Sequence, residues 1–300
     1  MRAIVLVAAL LVVTVATAGN PPDPRATKVV ATGPGPCGVA SRAGSIWVGV
    51  YGTGDLLAID DRRGAVQSRT RVGRWACRVA VGPAAVWVTR DRAGELVRVS
   101  RGTGRVERLQ VGSGTFDLLL AGGSDWTTSY DTGVIARFDA ASRRPLRIYK
   151  DGAYPAGLTY CSGRVWVGHG RDATWLTEID PLANTFRRVD VGTANPSWPR
   201  CIRGTLWVTA SATLLKVDAG SGKVLSRVRL GGTLAEAAEG PDALVWVTDK
   251  ERSLVHRIYA RQATVTDTYE AGPGAFALAR AGDSMWITSF AGRDVRRFDH

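Results

Sequence analysis

Seven tryptophans divide the chain into nearly equal lengths. Trp47, Trp87, Trp126, Trp166, Trp207, Trp246 and Trp286 are 40, 39, 40, 41, 39 and 40 residues apart. Each sits in a short run such as Val86-Trp87-Val88-Thr89 or Ile46-Trp47-Val48-Gly49. A period held through seven copies marks a repeat architecture, whose units bury their faces only by stacking on their neighbours. The second copy shows what one unit contains. Cys77–Val81 and Ala85–Thr89 are apolar runs separated by Gly82-Pro83-Ala84, and Leu96–Val99 and Val106–Val111 alternate apolar with polar residues. Tight turns join these four short strands, and no window has the length or period of a helix. Four strands per 40 residues predict an all-β, seven-bladed β-propeller with four-stranded antiparallel blades.

The ends of the chain predict how the ring closes. The seventh copy stops at Val295–His300, after its third strand, while Ala26–Gly33 ahead of the first copy reads as a fourth strand. Pairing the two completes the last blade and removes exposed sheet edges. The propeller is expected to be a single domain, 26–300. Residues 1–18 read as a secretory signal peptide: Arg2, then the 12-residue apolar run Ile4–Val15, then Ala16-Thr17-Ala18 for cleavage. Retention as an N-terminal anchor is the alternative. Residues 19–25, with Pro21, Pro22 and Pro24, read as a linker. No other run approaches the roughly 20 apolar residues of a spanning helix, so no transmembrane segment is expected in the mature, secreted or envelope-located chain.

The tryptophans are expected to fill the gaps between blades. Asp60, Asp139, Asp180, Asp218 and Asp299 recur between third and fourth strands, where a carboxylate can accept backbone N–H groups and fix a turn. Cys37 and Cys77 are 40 residues apart, as are Cys161 and Cys201, so each pair occupies one register on adjacent blades. The first pair lies at the start of the innermost strands and the second at their end. In an exported chain this predicts the bridges Cys37–Cys77 and Cys161–Cys201, with four buried free thiols as the alternative. Each closed loop would contribute about 3–4 kcal/mol in the chain-entropy model.

The formal net charge is +12, and all but five of the cations are arginines. This suits anionic envelope polymers, but the cations are spread over all blades, and nucleic acid is not expected for an exported chain. A monomer is expected. The loops leading into the innermost strands and those joining second to third strands should emerge together around the channel mouth. The first group carries Trp75, Phe116, Asp117, Tyr154, Trp198, Glu236 and Phe276. The second carries Tyr51, Arg90, Asp91, Tyr130, His169, Arg171, Asp249, Lys250 and Phe290. Ligand binding is therefore assigned to Tyr51, Trp75, Arg90, Phe116, Tyr130, Tyr154, His169, Trp198, Phe276 and Phe290, for a ring-bearing, sugar-like or peptide ligand, or a protein or glycan partner. The alternative is that these rings plug the channel. For catalysis only Glu236, Asp249 and His169 are candidates. The two acids share a blade, and proximity would raise one carboxyl.

The repeat has a Gly-Val-Ala strand, a Trp-Val-Thr strand and a Val-x-Arg-Ile/Val-Asp strand. With these it resembles the YVTN/NHL-like seven-bladed propellers and, within them, the virginiamycin B (streptogramin B) lyase group. Pro36-Cys37-Gly38-Val39-Ala40 and Tyr154-Pro155-Ala156-Gly157-Leu158 carry that group's lead-in pattern. The resemblance spans the mature chain. It implies elimination at the ester of a cyclic depsipeptide, with magnesium, histidines in the lead-in loops and glutamates near the tryptophan strand. Three residues after each tryptophan stand Val50, Arg90, Ser129, His169, Ala210, Asp249 and Ser289, so Asp249 is the acid at the glutamate position. The lead-in loops contain no histidine. The reading is therefore an exported, non-catalytic binding propeller without cofactor, with a magnesium-assisted carbon–oxygen lyase as the alternative.

Overall fold

A computed structural model describes residues 14–15, 26–152 and 154–299. These form seven antiparallel four-stranded sheets arranged as blades. Blade 1 consists of Pro36–Arg42, Ser45–Val50, Asp55–Asp60 and Val66–Arg71, counted from the axis outward. Blades 2 to 6 repeat the order over 76–110, 115–150, 155–190, 196–229 and 234–270. Blade 7 takes three strands from 275–299 and its fourth, Ala26–Ala31, from the other end of the chain. Val29 pairs with Arg296 and Val30 with Val295, the closure that the truncated last repeat predicts. The expected leader and linker lie outside the described residues except for Thr14 and Val15, which pair in parallel with Val228 and Arg229 on the outer strand of blade 5. Among the described residues no helix is long and apolar enough to cross a membrane.

Burial falls from the inside outward. Ser124–Ser129, the second strand of blade 3, is buried throughout, whereas Val66–Arg71, the outer strand of blade 1, is almost wholly exposed. The repeat tryptophans lie in the gaps between blades; Trp126, Trp166, Trp207 and Trp286 are essentially inaccessible. Trp207, for example, packs with Leu234, Val245 and Val247 of the next blade. Asp60, Asp139, Asp180 and Asp218 act as turn locks, whereas Asp299 instead accepts the Ser284 hydroxyl and pairs with Arg297. Asp60 Oδ1 accepts N–H from Arg62 and Arg63, and Asp180 Oδ1 accepts from Leu182 and Ala183. Those bonds hold both carboxyls below their usual range.

Both bridges form as the repeat register requires. Cys37–Cys77 joins blades 1 and 2, and Cys161–Cys201 joins blades 4 and 5, with Cα separations of 4.8 and 5.4 Å. No described cysteine is free.

Candidate functional site

One irregularity, repeated in every blade, aims side chains at the axis. The ladder between first and second strands slips near its start, between Ala76 and Val79, Thr115 and Leu118, Leu234 and Ala237, and at the matching places elsewhere. A bulge of this kind re-aims the extra residues. Here they are Arg78, Phe116, Asp117, Glu236 and Phe276. All lie within the innermost strands, where the sequence already placed Arg78, and not in the loops ahead, to which it assigned Phe116, Asp117, Glu236 and Phe276.

These residues fill the channel. Arg78 Nε donates to Asp117 Oδ1 at 3.0 Å, and its Nη1 donates to Glu236 Oε1. Arg200 Nη2 donates to Glu236 Oε2 at 3.0 Å, while Asp117 Oδ2 accepts the Leu158 N–H at 2.8 Å. Blades 2, 3, 4, 5 and 6 are thereby tied across the axis. Burial alone would raise the Glu236 carboxyl, but Arg78 and Arg200 outweigh it and hold it below its usual value. Removing one member would strand a buried charge, typically at a cost of 3–5 kcal/mol.

Two of the catalytic candidates share blade 6 but not a site. Glu236 points into the channel. Asp249 is fully buried at the end of its strand, where it accepts N–H from Thr233, Glu251 and Arg252 and pairs with Arg252 Nε at 2.6 Å. Burial opposes its charge, yet His256 and Arg252 hold its carboxyl well below the usual range. Neither acid is raised, contrary to the sequence expectation, because Arg78 and Arg200 neutralise Glu236 while His256 and Arg252 hold Asp249 down. His169, expected on an open face, is inaccessible. Its Nε2 lies 2.8 Å from Thr177 Oγ1 and 3.1 Å from Asp151 Oδ2, and Arg188 completes the cluster. Among the described residues no three His, Cys, Asp or Glu side chains converge to hold a metal ion.

The aromatics do converge. Tyr154, Tyr130, Phe116 and Trp198 follow one another at centroid separations of 5.3, 5.0 and 5.4 Å, and Phe276 meets Trp198 edge-on at 5.9 Å. The line descends from the rim into the channel. Trp198 is only 7% exposed and carries the Arg78 guanidinium over its face at 4.7 Å, so it is a plug rather than a rim contact. Tyr51 and the exposed Phe290 form a second pair, 6.1 Å apart, on blades 1 and 7. Arg90 is tied to Glu95 at the end of its strand. Arg171 lies over Tyr154 at 4.1 Å and donates to its hydroxyl at 2.8 Å.

Trp75 and Tyr154 hold a position with a special backbone. The residue just before the innermost strand accepts the N–H of the residue following the second strand: Tyr51 to Gly35, Asp91 to Trp75, Tyr130 to Gly114, Gly170 to Tyr154, Phe290 to Gly274. In five blades that residue has positive φ: Gly35 (70°), Trp75 (68°), Gly114 (69°), Tyr154 (35°) and Gly274 (67°); Asn195 (58°) holds the same place in blade 5, and in blade 6 Thr233 accepts the Lys250 N–H without positive φ. Glycine adopts this freely and asparagine tolerably, but a bulky aromatic does so at a cost on the order of 1–3 kcal/mol.

No protein-family model and no curated protein matches the chain. Solved structures match its shape. A streptogramin B lyase structure superimposes with a TM-score of 0.79 at 16% identity, covering 91% of this chain and 97% of that one. Virginiamycin B lyase from Staphylococcus aureus gives 0.79 at 14%, covering 90% and 98%. Hydrazine synthase from Kuenenia stuttgartiensis gives 0.78 at 13%, covering 91% and 98%. Chemistries this different on equally similar frames leave activity to be argued from the site. At these identities the likeness establishes the fold: a seven-bladed propeller of the shape found in the streptogramin B lyases.

Proposed function

We propose that this chain is an exported, non-catalytic propeller that binds a ligand or partner at the aromatic mouth of its channel. The observation that carries the reading is the row of partly exposed rings Tyr154, Tyr130 and Phe116, with Tyr51 and Phe290 beside it, above a channel closed by Trp198 and ion pairs. Half-exposed rings on a rigid frame supply contact area at low entropic cost. Acid–base work would need a carboxyl poised near neutrality, whereas Glu236 is held low by Arg78 and Arg200, and Asp249 by His256 and Arg252. Two disulfides support export, since such bridges persist in oxidising compartments.

The test is saturable binding of the purified mature chain to arrays of envelope glycans and peptides, against the variant Tyr130→Ala/Phe290→Ala. The variant should melt like the parent and bind at least tenfold more weakly. Equal binding by both would defeat the reading. The likeness to streptogramin B lyase favours a second reading, a magnesium-assisted carbon–oxygen lyase. Incubation with a cyclic depsipeptide and magnesium, monitored for ring opening without change of mass, decides it.

A further inference from the structure

We infer that Trp75 and Tyr154 keep their left-handed backbones because their rings form a ligand subsite across blades 2 to 4, and that this subsite takes an acidic glycan. The inference rests on the mouth-binding reading and narrows it to two residues and one ligand class.

The register supplies the first premise. Gly35, Gly114 and Gly274 accept that N–H with a positive φ that glycine adopts freely, and Asn195 turns likewise, while Thr233 accepts the Lys250 N–H without positive φ, so the bond alone does not require that backbone. Trp75 and Tyr154 do the same backbone task, accepting N–H from Asp91 and Gly170, but oppose it with a large ring. Glycine would serve folding better at both places. Strained residues of this kind cluster where a side chain is needed for binding.

Location supplies the second premise. Both residues sit on the rim, half-buried, on blades 2 and 4. Phe116 and Tyr130 of blade 3 lie between those blades, within 5.0 Å of one another, and Tyr130 meets Tyr154 at 5.3 Å. Ring faces suit the C–H faces of pyranoses. The cations select among sugars. Arg171 lies over Tyr154 and donates to its hydroxyl, and both Arg171 and Arg74, next to Trp75, are exposed; Asp91, whose N–H bonds the Trp75 carbonyl, and its neighbour Asp131 oppose them on the same rim. Guanidinium pairs with carboxylate in a fork geometry, and a net charge of +12 draws a polyanion to the surface. Rings for the sugar face and guanidinium for the carboxylate together describe a uronic-acid-type chain.

The experiment uses the mature disulfide-bonded chain, with oligogalacturonate as the acidic probe and cello-oligosaccharide as the neutral one. Calorimetric titration should show oligogalacturonate binding at least tenfold more tightly than the neutral sugar. Trp75→Gly should raise Tm by roughly 2–4 °C, as expected for relief of modest strain in a domain of this size, while weakening oligogalacturonate at least tenfold. Trp75→Gly/Tyr154→Gly should abolish binding. A fall in Tm for Trp75→Gly would mean the ring serves the fold, and would overturn the proposal. So would undiminished binding by the double variant. Equal or absent binding of the two sugars by the parent would overturn the ligand class. If Tyr130→Ala/Phe290→Ala loses an array ligand that the glycine variants retain, the mouth reading stands and this one falls.

Discussion

The ring is sealed in two different ways. Two residues after the tryptophan, blades 2, 3, 5, 6 and 7 carry Thr89, Thr128, Thr209, Thr248 and Thr288, whereas blades 1 and 4 carry Gly49 and Gly168. The threonines are hydrogen-bonded cement. Thr248 Oγ1 accepts the Glu236 N–H of its own blade and donates to the Phe276 carbonyl of the next at 2.6 Å. Thr128, Thr209 and Thr288 likewise donate to Ala156, Ala235 and Cys37. At the glycine blades the equivalent carbonyl comes closer than a side chain permits. A Cβ on Gly49 would lie 2.4 Å from the Cys77 oxygen, and one on Gly168 would lie 2.2 Å from the Ser197 oxygen. These are the two interfaces with disulfides. The residue paired with the tryptophan changes in step. It is Arg98, Arg137, Lys216, Arg257 or Arg297 at threonine blades, and Ala58 or Glu178 at glycine blades. Close approach with a covalent bridge thus replaces threonine bonding, and the change is concerted across the blade.

The largest expected effect comes from opening a bridge. Cys37→Ser with Cys77→Ser removes a closed loop of 40 residues, and the chain-entropy model gives a loss of about 4 kcal/mol. Urea titration measures it; a loss under about 1 kcal/mol would show that the glycine interface holds without its staple. Next is Gly168→Thr, which installs the other kind of seal where there is no room. Overpacking against backbone should cost roughly 3 kcal/mol, a fall in Tm on the order of 10 °C. Combined with Cys161→Ser/Cys201→Ser, the same threonine should cost less, because the released blades can separate. Strict additivity would break the link between bridge and close approach. Thr248→Val comes third. It leaves the buried Glu236 N–H and Phe276 carbonyl without this partner, for about 2 kcal/mol by urea titration.

Much of this architecture is legible in the residues themselves. The tryptophan period gives the blade number, the missing last strand gives the closure, and the matched cysteine spacings give both bridges. The difference between Trp-Val-Gly and Trp-Val-Thr is equally plain as the one signal separating the two seals. Its meaning is hidden because it lies in the distance between blades, which a periodicity does not encode. The site is less legible for a related reason. The bulge moves Asp117 and Glu236 off the expected rim and into the channel, where Trp198 is also buried, and one extra residue in a ladder leaves no mark on the apolar pattern. Arg78 and Arg200, which neutralise Glu236, escape a reading by loops. Both stand in innermost strands at positions that face the channel, and a cation there is the available clue.

Acid should act on the channel ion pairs and spare the disulfides, with no effect at neutrality. Arg78, Asp117, Arg200 and Glu236 tie blades whose contacts include the unbridged pairs 2–3 and 5–6. Burial would raise Glu236, but the two arginines reverse this, so its folded pKa lies below the unfolded one. Its contribution is then complete above the ordinary glutamate value of about 4.3 and is lost as pH falls through the folded value. Disulfides do not titrate. Urea midpoints of the parent and of Cys37→Ser/Cys77→Ser, taken at pH 7, 5 and 3, should therefore decline in parallel, flat to pH 5 and falling below it. A steeper decline in the serine variant would mean that the bridge was holding the channel network together, and bridge and network would then be one mechanism rather than two.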